Sequence, residues 1–285
     1  MHPSTTFESG LIPDFQRARP RSRSRRASQS LRLGAVSWFV TAAIGQLLFV
    51  AYIIGFYGRA ALGGDMSAWN QVLAHGWEPG NTFGNTVLSL HLIFTVLIIV
   101  GGVVQLIPAI RQRWPRFHRY SGRFYMLSAV IMSVGGLIMV WTRNTVGDLS
   151  QHIAISINAL LILCCAWMTL RLAIRRQLDR HRRWAIRLFL VVSGVWFLRV
   201  GLMFWIAANQ GPVGFDPKSF TGPFLSLISF GQYLIPLAVA EIYFRAQRSQ
   251  RPAQQWLASG VLALSTLITG AGIAAAGLMM WLPRL

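Results

Sequence analysis

Charged residues are scarce in this sequence, and acidic residues are the scarcest among them. Only 12% of the 285 residues are charged, and eight Asp and Glu stand against 27 Lys and Arg, a formal net charge of +19. A soluble domain carries roughly 25% charged residues, so this composition excludes an ordinary water-soluble enzyme. The hydrophobic fraction of 54% excludes a disordered chain. The two cysteines, Cys164 and Cys165, are adjacent, which excludes a disulfide scaffold.

Long apolar segments are what the sequence has instead. A helix needs about 20 apolar residues to cross ~30 Å of hydrocarbon, and segments of that length recur along the chain. The sequence therefore predicts an all-α fold, a seven-helix transmembrane bundle in which helices two to five form a four-helix core. The predicted spans are 33–57, 86–110, 124–142, 149–170, 188–209, 221–244 and 256–282.

The arginines predict how the bundle is oriented. They cluster at 17–32, 111–123, 171–187 and 245–251, whereas the opposite connections carry only Arg59, Arg143, Lys218 and Arg284. Because cytoplasmic connections are enriched in Lys and Arg, we expect a cytoplasmic N-terminus and an external C-terminus in the plasma (inner) membrane of a bacterium. The same rule accounts for the positive charge, so we expect no nucleic-acid partner.

The chain divides into two parts by composition. Residues 1–32 are rich in Ser, Arg and Pro, which predicts a disordered basic cytoplasmic tail in contact with anionic lipid. Residues 33–285 are predicted to form a single transmembrane domain.

Four histidines recur in a regular order. His91 and His152 stand near the outer starts of helices two and four, and His118 and His181 stand in the basic cytoplasmic segments before helices three and five. A duplicated antiparallel helix pair explains this order, with coincidence as the alternative. Inside a four-helix core, each membrane level then offers two facing imidazoles.

Two segments resemble a known family. They are the hairpin Trp114-Pro-Arg-Phe-His-Arg-Tyr-Ser-Gly-Arg123 and the segment His181-Arg-Arg-Trp-Ala-Ile-Arg187, which precedes a helix with Arg199. Residues 85–245 resemble DUF2306, a family of uncharacterised bacterial multi-pass membrane proteins. Where the family commonly has Met, this chain has Ala185. The resemblance implies a fold but no activity.

The order of the histidines resembles a second group, the di-haem transmembrane cytochromes b of the ascorbate-reducible type. This resemblance implies that His91 and His152 hold an outer haem b, and that His118 and His181 hold an inner one. Two histidine ligands leave no open site on the iron, which suits electron transfer. The alternative is that all four histidines are ordinary interfacial residues that bond to backbone or lipid headgroups.

Arg199 is the most unusual single residue. It stands ~18 Å up its helix from Arg187, and a central charge of this kind needs an interior partner. Asp148, Asp216 and Glu241 are the nearby acids, and a haem propionate, a quinone oxygen, a backbone carbonyl or another anionic ligand are the other candidates. A three-histidine metal site of His75, His91 and His152 is a further, weaker hypothesis.

Two functions remain open. The first is haem-b-dependent transmembrane electron transfer. The second is a non-enzymatic membrane protein that binds lipid or another anion through its Arg/His cytoplasmic face and Arg199. A small-molecule carrier is weaker because acids are nearly absent from the spans and only Pro108 and Pro236 suggest kinks. A quinone, an anionic lipid and a second copy of the chain are candidate partners besides the bilayer.

Overall fold

Each apolar segment folds as a helix, the element that satisfies its own backbone hydrogen bonds in the absence of water. The structure, a computed structural model, describes residues 22–73, 76–142 and 147–285, and it has no β-strand in these ranges. The α-helices there are α1 (Ser22–Tyr52), α2 (Arg59–Leu62), α3 (Thr82–Leu106), α4 (Pro108–Arg113), α5 (Pro115–Thr142), α6 (Leu149–Ile174), α7 (Leu178–Val192), α8 (Gly194–Asn209), α9 (Pro223–Arg248) and α10 (Pro252–Ala276). Short π- and 3-10 helices are Ile53–Gly58, Met66–Gln71, Gly277–Trp281 and Leu282–Arg284.

The helices confirm the predicted membrane-spanning architecture. Over the described ranges, six helical segments are long and apolar enough to cross a membrane, and α7 with α8 make a seventh span when counted as one. These two helices meet at Ser193 with a bend of 54°. The fifth predicted span is therefore a broken helix rather than a straight one.

The first helix begins earlier than predicted. It starts at Ser22, so residues 22–32 are helical and not part of a disordered tail, while residues 1–21 lie outside the described ranges. Packing explains this correction, because Ala27 and Leu31 are buried. Leu31 belongs to a cluster with Ala246 of α9 and Leu262 of α10.

The four predicted core spans share a hydrophobic core, to which α3, α5, α6 and α7, the first part of the broken fifth span, contribute. In sequence order α3 packs on α5, α5 on α6, and α6 on α7. Ile98, Tyr125, Ile162 and Leu188 contribute one residue from each helix to a single buried cluster, which Tyr233 of α9 completes. A second cluster joins aromatic side chains of α1 and α8, such as Phe49 and Trp196, to Leu88 of α3 and Ile273 of α10.

Polar and apolar side chains are distributed as expected for a bundle surrounded by lipid. Leu127 and Leu160 are about 60% exposed (58% and 60%), whereas their neighbours Ser128 and Asn158 are buried at 0% and 6%. These two leucines thus face outward, whereas Ser128 and Asn158 lie inside the bundle.

Small residues of α10 permit close helix contact within the chain. A Cβ atom on Gly272 would lie 2.5 Å from the Val200 carbonyl oxygen of α8. Gly45 of α1 likewise leaves room for the Ile273 side chain. Helix α10 therefore packs closely against α8 and α1 of the same chain.

Candidate functional site

The inner histidines both lie on helices rather than in hairpin loops. Helix α5 begins at Pro115, so His118 stands in its first turn, and His181 stands in the first turn of α7. The two side chains are partly buried and close enough to interact electrostatically, and Arg111 reaches His118 in the same way. The structure therefore places the two members of the predicted inner pair within electrostatic reach of each other.

A backbone contact orients His181. Its Nδ1 atom lies 2.9 Å from the carbonyl oxygen of Thr169 on α6. A carbonyl oxygen only accepts, so Nδ1 carries the hydrogen and donates it. The neutral ring then has its lone pair on Nε2, the arrangement in which a histidine binds a metal through Nε2.

The other inner imidazole, His118, has an unused nitrogen. Its Nδ1 atom is buried and makes no hydrogen bond within the described part of the chain. The first turn of α5 is held to α3 by Gln105, whose Nε2 atom donates to Ser121 Oγ at 2.7 Å and to the His118 carbonyl at 3.4 Å. The backbone of His118 is thus held to the bundle, while Nδ1 of its ring makes no hydrogen bond among the described residues.

The outer histidines have different neighbours. His152 stands edge-on to Trp141 of α5, with 5.8 Å between ring centroids and 70° between ring planes. His91 lies within electrostatic reach of Arg199, and its Nδ1 atom is buried with no hydrogen bond among the described residues. The described contacts place His91 beside Arg199 and His152 beside Trp141.

Arg199 of α8 faces aromatic side chains of α1 rather than an acid. Its guanidinium carbon lies 5.4 Å from the centre of the Phe49 ring, and Nη1 donates to the Val195 carbonyl at 3.4 Å. Tyr52 and Tyr57 lie within electrostatic reach. A cation over an aromatic face is attracted by the ring quadrupole. Of the partners for Arg199 considered from the sequence, the structure shows one, a backbone carbonyl.

The three candidate acids are engaged elsewhere. Asp148 caps α6 by accepting hydrogen bonds from Ser150 Oγ and the Gln151 backbone, and these bonds hold its pKa below the usual value. Glu241 accepts two hydrogen bonds from Arg187, whose guanidinium also lies over the rings of Trp184 and Phe244.

Asp216, the third acid, lies in the connection between α8 and α9. It accepts from the Lys218 backbone and from Ser219 Oγ, contacts that likewise lower its pKa.

The hypothesis of a three-histidine metal site falls partly outside the structure. His75 lies outside the described ranges. Within those ranges, no three His, Cys, Asp or Glu side chains come together in a group that could hold a metal ion. Haem b differs from such a site because its iron takes only two ligands from the protein.

A polar cluster in the middle of the bundle was missed from sequence. Gln46, Asn158 and Gln232 are almost fully buried around the break at Ser193. Two signals pointed to it: amide side chains within apolar spans, and a Ser-Gly pair, which is a common site of helix kinks. The sequence reasoning considered only proline as a source of kinks.

The fold and the buried polar groups define a multi-pass membrane protein with polar side chains enclosed among its helices. A family model described as a predicted membrane protein (DUF2306) matches residues 88–244, and the chain belongs to this family. That family assignment carries no activity. Comparisons with curated proteins and with solved structures gave no match.

Proposed function

We propose that this protein is a transmembrane electron carrier that binds haem b between its paired histidines in the plasma membrane of a bacterium. The observation that carries the proposal is the inner pair. His118 and His181 come from α5 and α7 and lie within electrostatic reach of each other, and the contact with Thr169 leaves Nε2 of His181 as the available ligand atom. A haem b held by two histidines supplies one-electron transfer without an open coordination position.

The donor set fits such a group. An axial ligand must be a neutral imidazole with a free lone pair, and a hydrogen bond from its other nitrogen to a carbonyl keeps it in that form. His181 makes such a hydrogen bond to the Thr169 carbonyl, and His118 has a buried Nδ1 atom without a hydrogen bond among the described residues. Arg111, close to His118, provides positive charge that complements haem carboxylates.

The outer pair is also part of the proposal. His91 has a buried Nδ1 atom without a hydrogen bond among the described residues, and Arg199 beside it lies over the ring of Phe49. Helix α5 packs against both α3 and α6, the helices that carry His91 and His152. The same one-helix separation holds for the inner pair, because α6 packs against both α5 and α7. In both the outer and the inner pair, the two histidine ligands therefore stand on helices that are separated by one other core helix.

The test is haem content after purification from haem-replete cells. We expect about two haems per chain in the wild type and about one in His118→Ala and in His181→Ala. His75→Ala is the matched control, because it removes a histidine that belongs to neither pair, and it should keep both haems. Equal haem content in all four proteins would contradict the assignment of the inner pair.

Anionic lipid binding is the second candidate, and a specific groove favours it. This groove lies between α1 and α10 at their arginine-rich ends and has a volume of about 430 Å³. Its lining includes Arg26, Ser30 and Trp256. A guanidinium, a hydroxyl and an indole can hold a phosphate headgroup above apolar walls. Retention of anionic lipid in native mass spectrometry should fall in Arg26→Ala and stay unchanged in Arg245→Ala, an exposed arginine on α9.

A further inference from the structure

The break in the fifth span is built by its own side chains. Helix α7 ends at Val192, Ser193 has ψ near 0° (φ −76, ψ 2), and α8 begins at Gly194. Ser193 Oγ donates to the Phe189 carbonyl at 2.7 Å, a bond to the preceding turn that bends helices. Broken helices at membrane depth are tolerated where they are enclosed by protein or line a polar cavity, and they often mark binding sites.

Three amide side chains from three other helices reach this break. Gln46 of α1 donates to Ser193 Oγ at 2.8 Å, and Asn158 of α6 donates to the Val191 carbonyl at 3.2 Å. The Oε1 atom of Gln232, on α9, lies 3.4 Å from the position that a Cβ atom on Gly194 would take. Asn158 and Gln232 stand roughly 14 Å along their helices from the end predicted to be external, which is near the middle of the membrane.

Each of these amides has an oxygen without a partner. The unpartnered atoms are Gln46 Oε1, Asn158 Oδ1 and Gln232 Oε1, all buried and without a hydrogen bond in the described ranges. Their residues are only 1%, 6% and 4% exposed. Buried polar atoms nearly always have a hydrogen-bond partner, which is either another protein atom or a bound small molecule or ion, here called a guest. Three buried oxygens without a partner at one helix break therefore indicate a guest.

The amide orientations are determined by their other contacts. The NH₂ groups of Asn158 and Gln232 face the carbonyls of Val191 and Ser229, and turning either amide would place oxygen against oxygen. Ser193 gives its hydrogen to Phe189, so its oxygen can only accept from Gln46. The three unpartnered atoms are therefore acceptors, and they repel an anion.

We propose that the break between α7 and α8 binds a small electropositive guest, a monovalent cation or water, through the amide oxygens of Gln46, Asn158 and Gln232. A guest of either kind satisfies neutral oxygen acceptors. Charge near the break is limited: Arg187, six residues before Ser193, is held by Glu241, while Arg199, six residues after it, faces Phe49. The proposal does not depend on haem binding.

A structure of the wild-type protein crystallised from lipid, with thallium(I) replacing sodium, tests the proposal directly. We expect density within about 3 Å of these oxygens. An anomalous signal there identifies the guest as a cation, and density without an anomalous signal identifies it as water. An ordered site with no density would overturn the proposal.

Coupling between the amides provides a second measurement. Gln232→Met and Asn158→Leu each remove one oxygen, and no hydrogen bond joins these two side chains in the described part of the chain. A shared guest makes their losses in thermal midpoint non-additive, so the double variant should lose clearly less than the sum of the two. Strict additivity would contradict a shared guest. Gln247→Met is the control, because Gln247 is an exposed glutamine on α9, the helix that carries Gln232. This substitution should leave the thermal midpoint unchanged.

Discussion

His181 donates a hydrogen bond from Nδ1 to the backbone carbonyl of Thr169, across the contact between α7 and α6. The acceptor is main chain, so the bond is present whatever side chain stands at position 169. The contact therefore sets the ring's tautomer and leaves Nε2 free to bind a metal.

The first prediction concerns this tautomer. In protein purified without haem, at a pH where the ring is neutral, we expect His181 to carry its hydrogen on Nδ1. Nitrogen-15 chemical shifts of histidine-labelled protein report which ring nitrogen is protonated, with the signal assigned by its loss in His181→Ala. A signal showing the hydrogen on Nε2 would contradict the proposed ligand geometry.

The second prediction concerns the ion pair between Arg187 and Glu241. The side chains are 20% and 39% exposed, so the pair lies between a surface and a buried ion pair. We expect Glu241→Gln to lower the free energy of unfolding by about 2 kcal/mol. The substitution weakens two charge-assisted hydrogen bonds and leaves the partly buried Arg187 without its negatively charged partner. Detergent-based unfolding of the purified protein measures this loss.

A matched control for that measurement stands on the same helix. Arg245 is exposed, and Arg245→Gln should change stability by less than about 0.5 kcal/mol. Equal losses in the two variants would show that the ion pair contributes nothing specific.

The third prediction compares two glycines of α10. Gly272 touches the Val200 backbone, whereas a Cβ atom on Gly260 would meet nothing within 4 Å. We expect Gly272→Ala to destabilise the protein by about 1–3 kcal/mol through overpacking. Gly260→Ala should stabilise it by up to about 1 kcal/mol, because alanine favours the helix. If both substitutions act in the same direction, α10 does not pack on α8 as described.

The fourth prediction concerns orientation, which follows from the arginine clusters. We expect a fluorescent protein fused to the N-terminus to fluoresce, and alkaline phosphatase fused to the C-terminus to be active, because these reporters work in the cytoplasm and outside it respectively. Fusions exchanged between the termini are the control and should be inactive. The reverse pattern of activity would contradict the predicted topology.

The parts of the fold that depend on contiguous residues were predictable from the sequence. The apolar segments and the caps of helices such as α6 are encoded in contiguous residues, so the number and position of the spans followed from the sequence. The start of α1 did not, because Leu31 is stabilised in a helix by Ala246 and Leu262, which are more than two hundred residues away along the chain.

The candidate site was predictable only in part, for the same physical reason. The four histidines and Arg199 stood out by residue type and by position within their spans. Their neighbours depend on contacts between distant segments: Arg199 meets Phe49 of α1, and His181 meets Thr169 of α6. The break at Ser193 likewise depends on amides from three other helices. Such contacts leave no periodic pattern in one sequence.

The visible absorption spectrum of the purified wild-type protein is the most direct test of the central claim that paired histidines hold haem b. Protein from haem-replete cells should be coloured, and dithionite should produce the sharp bands of reduced six-coordinate haem b. Those bands should weaken in His181→Ala and persist in His75→Ala. A colourless wild-type protein, with no bands before or after dithionite, would contradict the account.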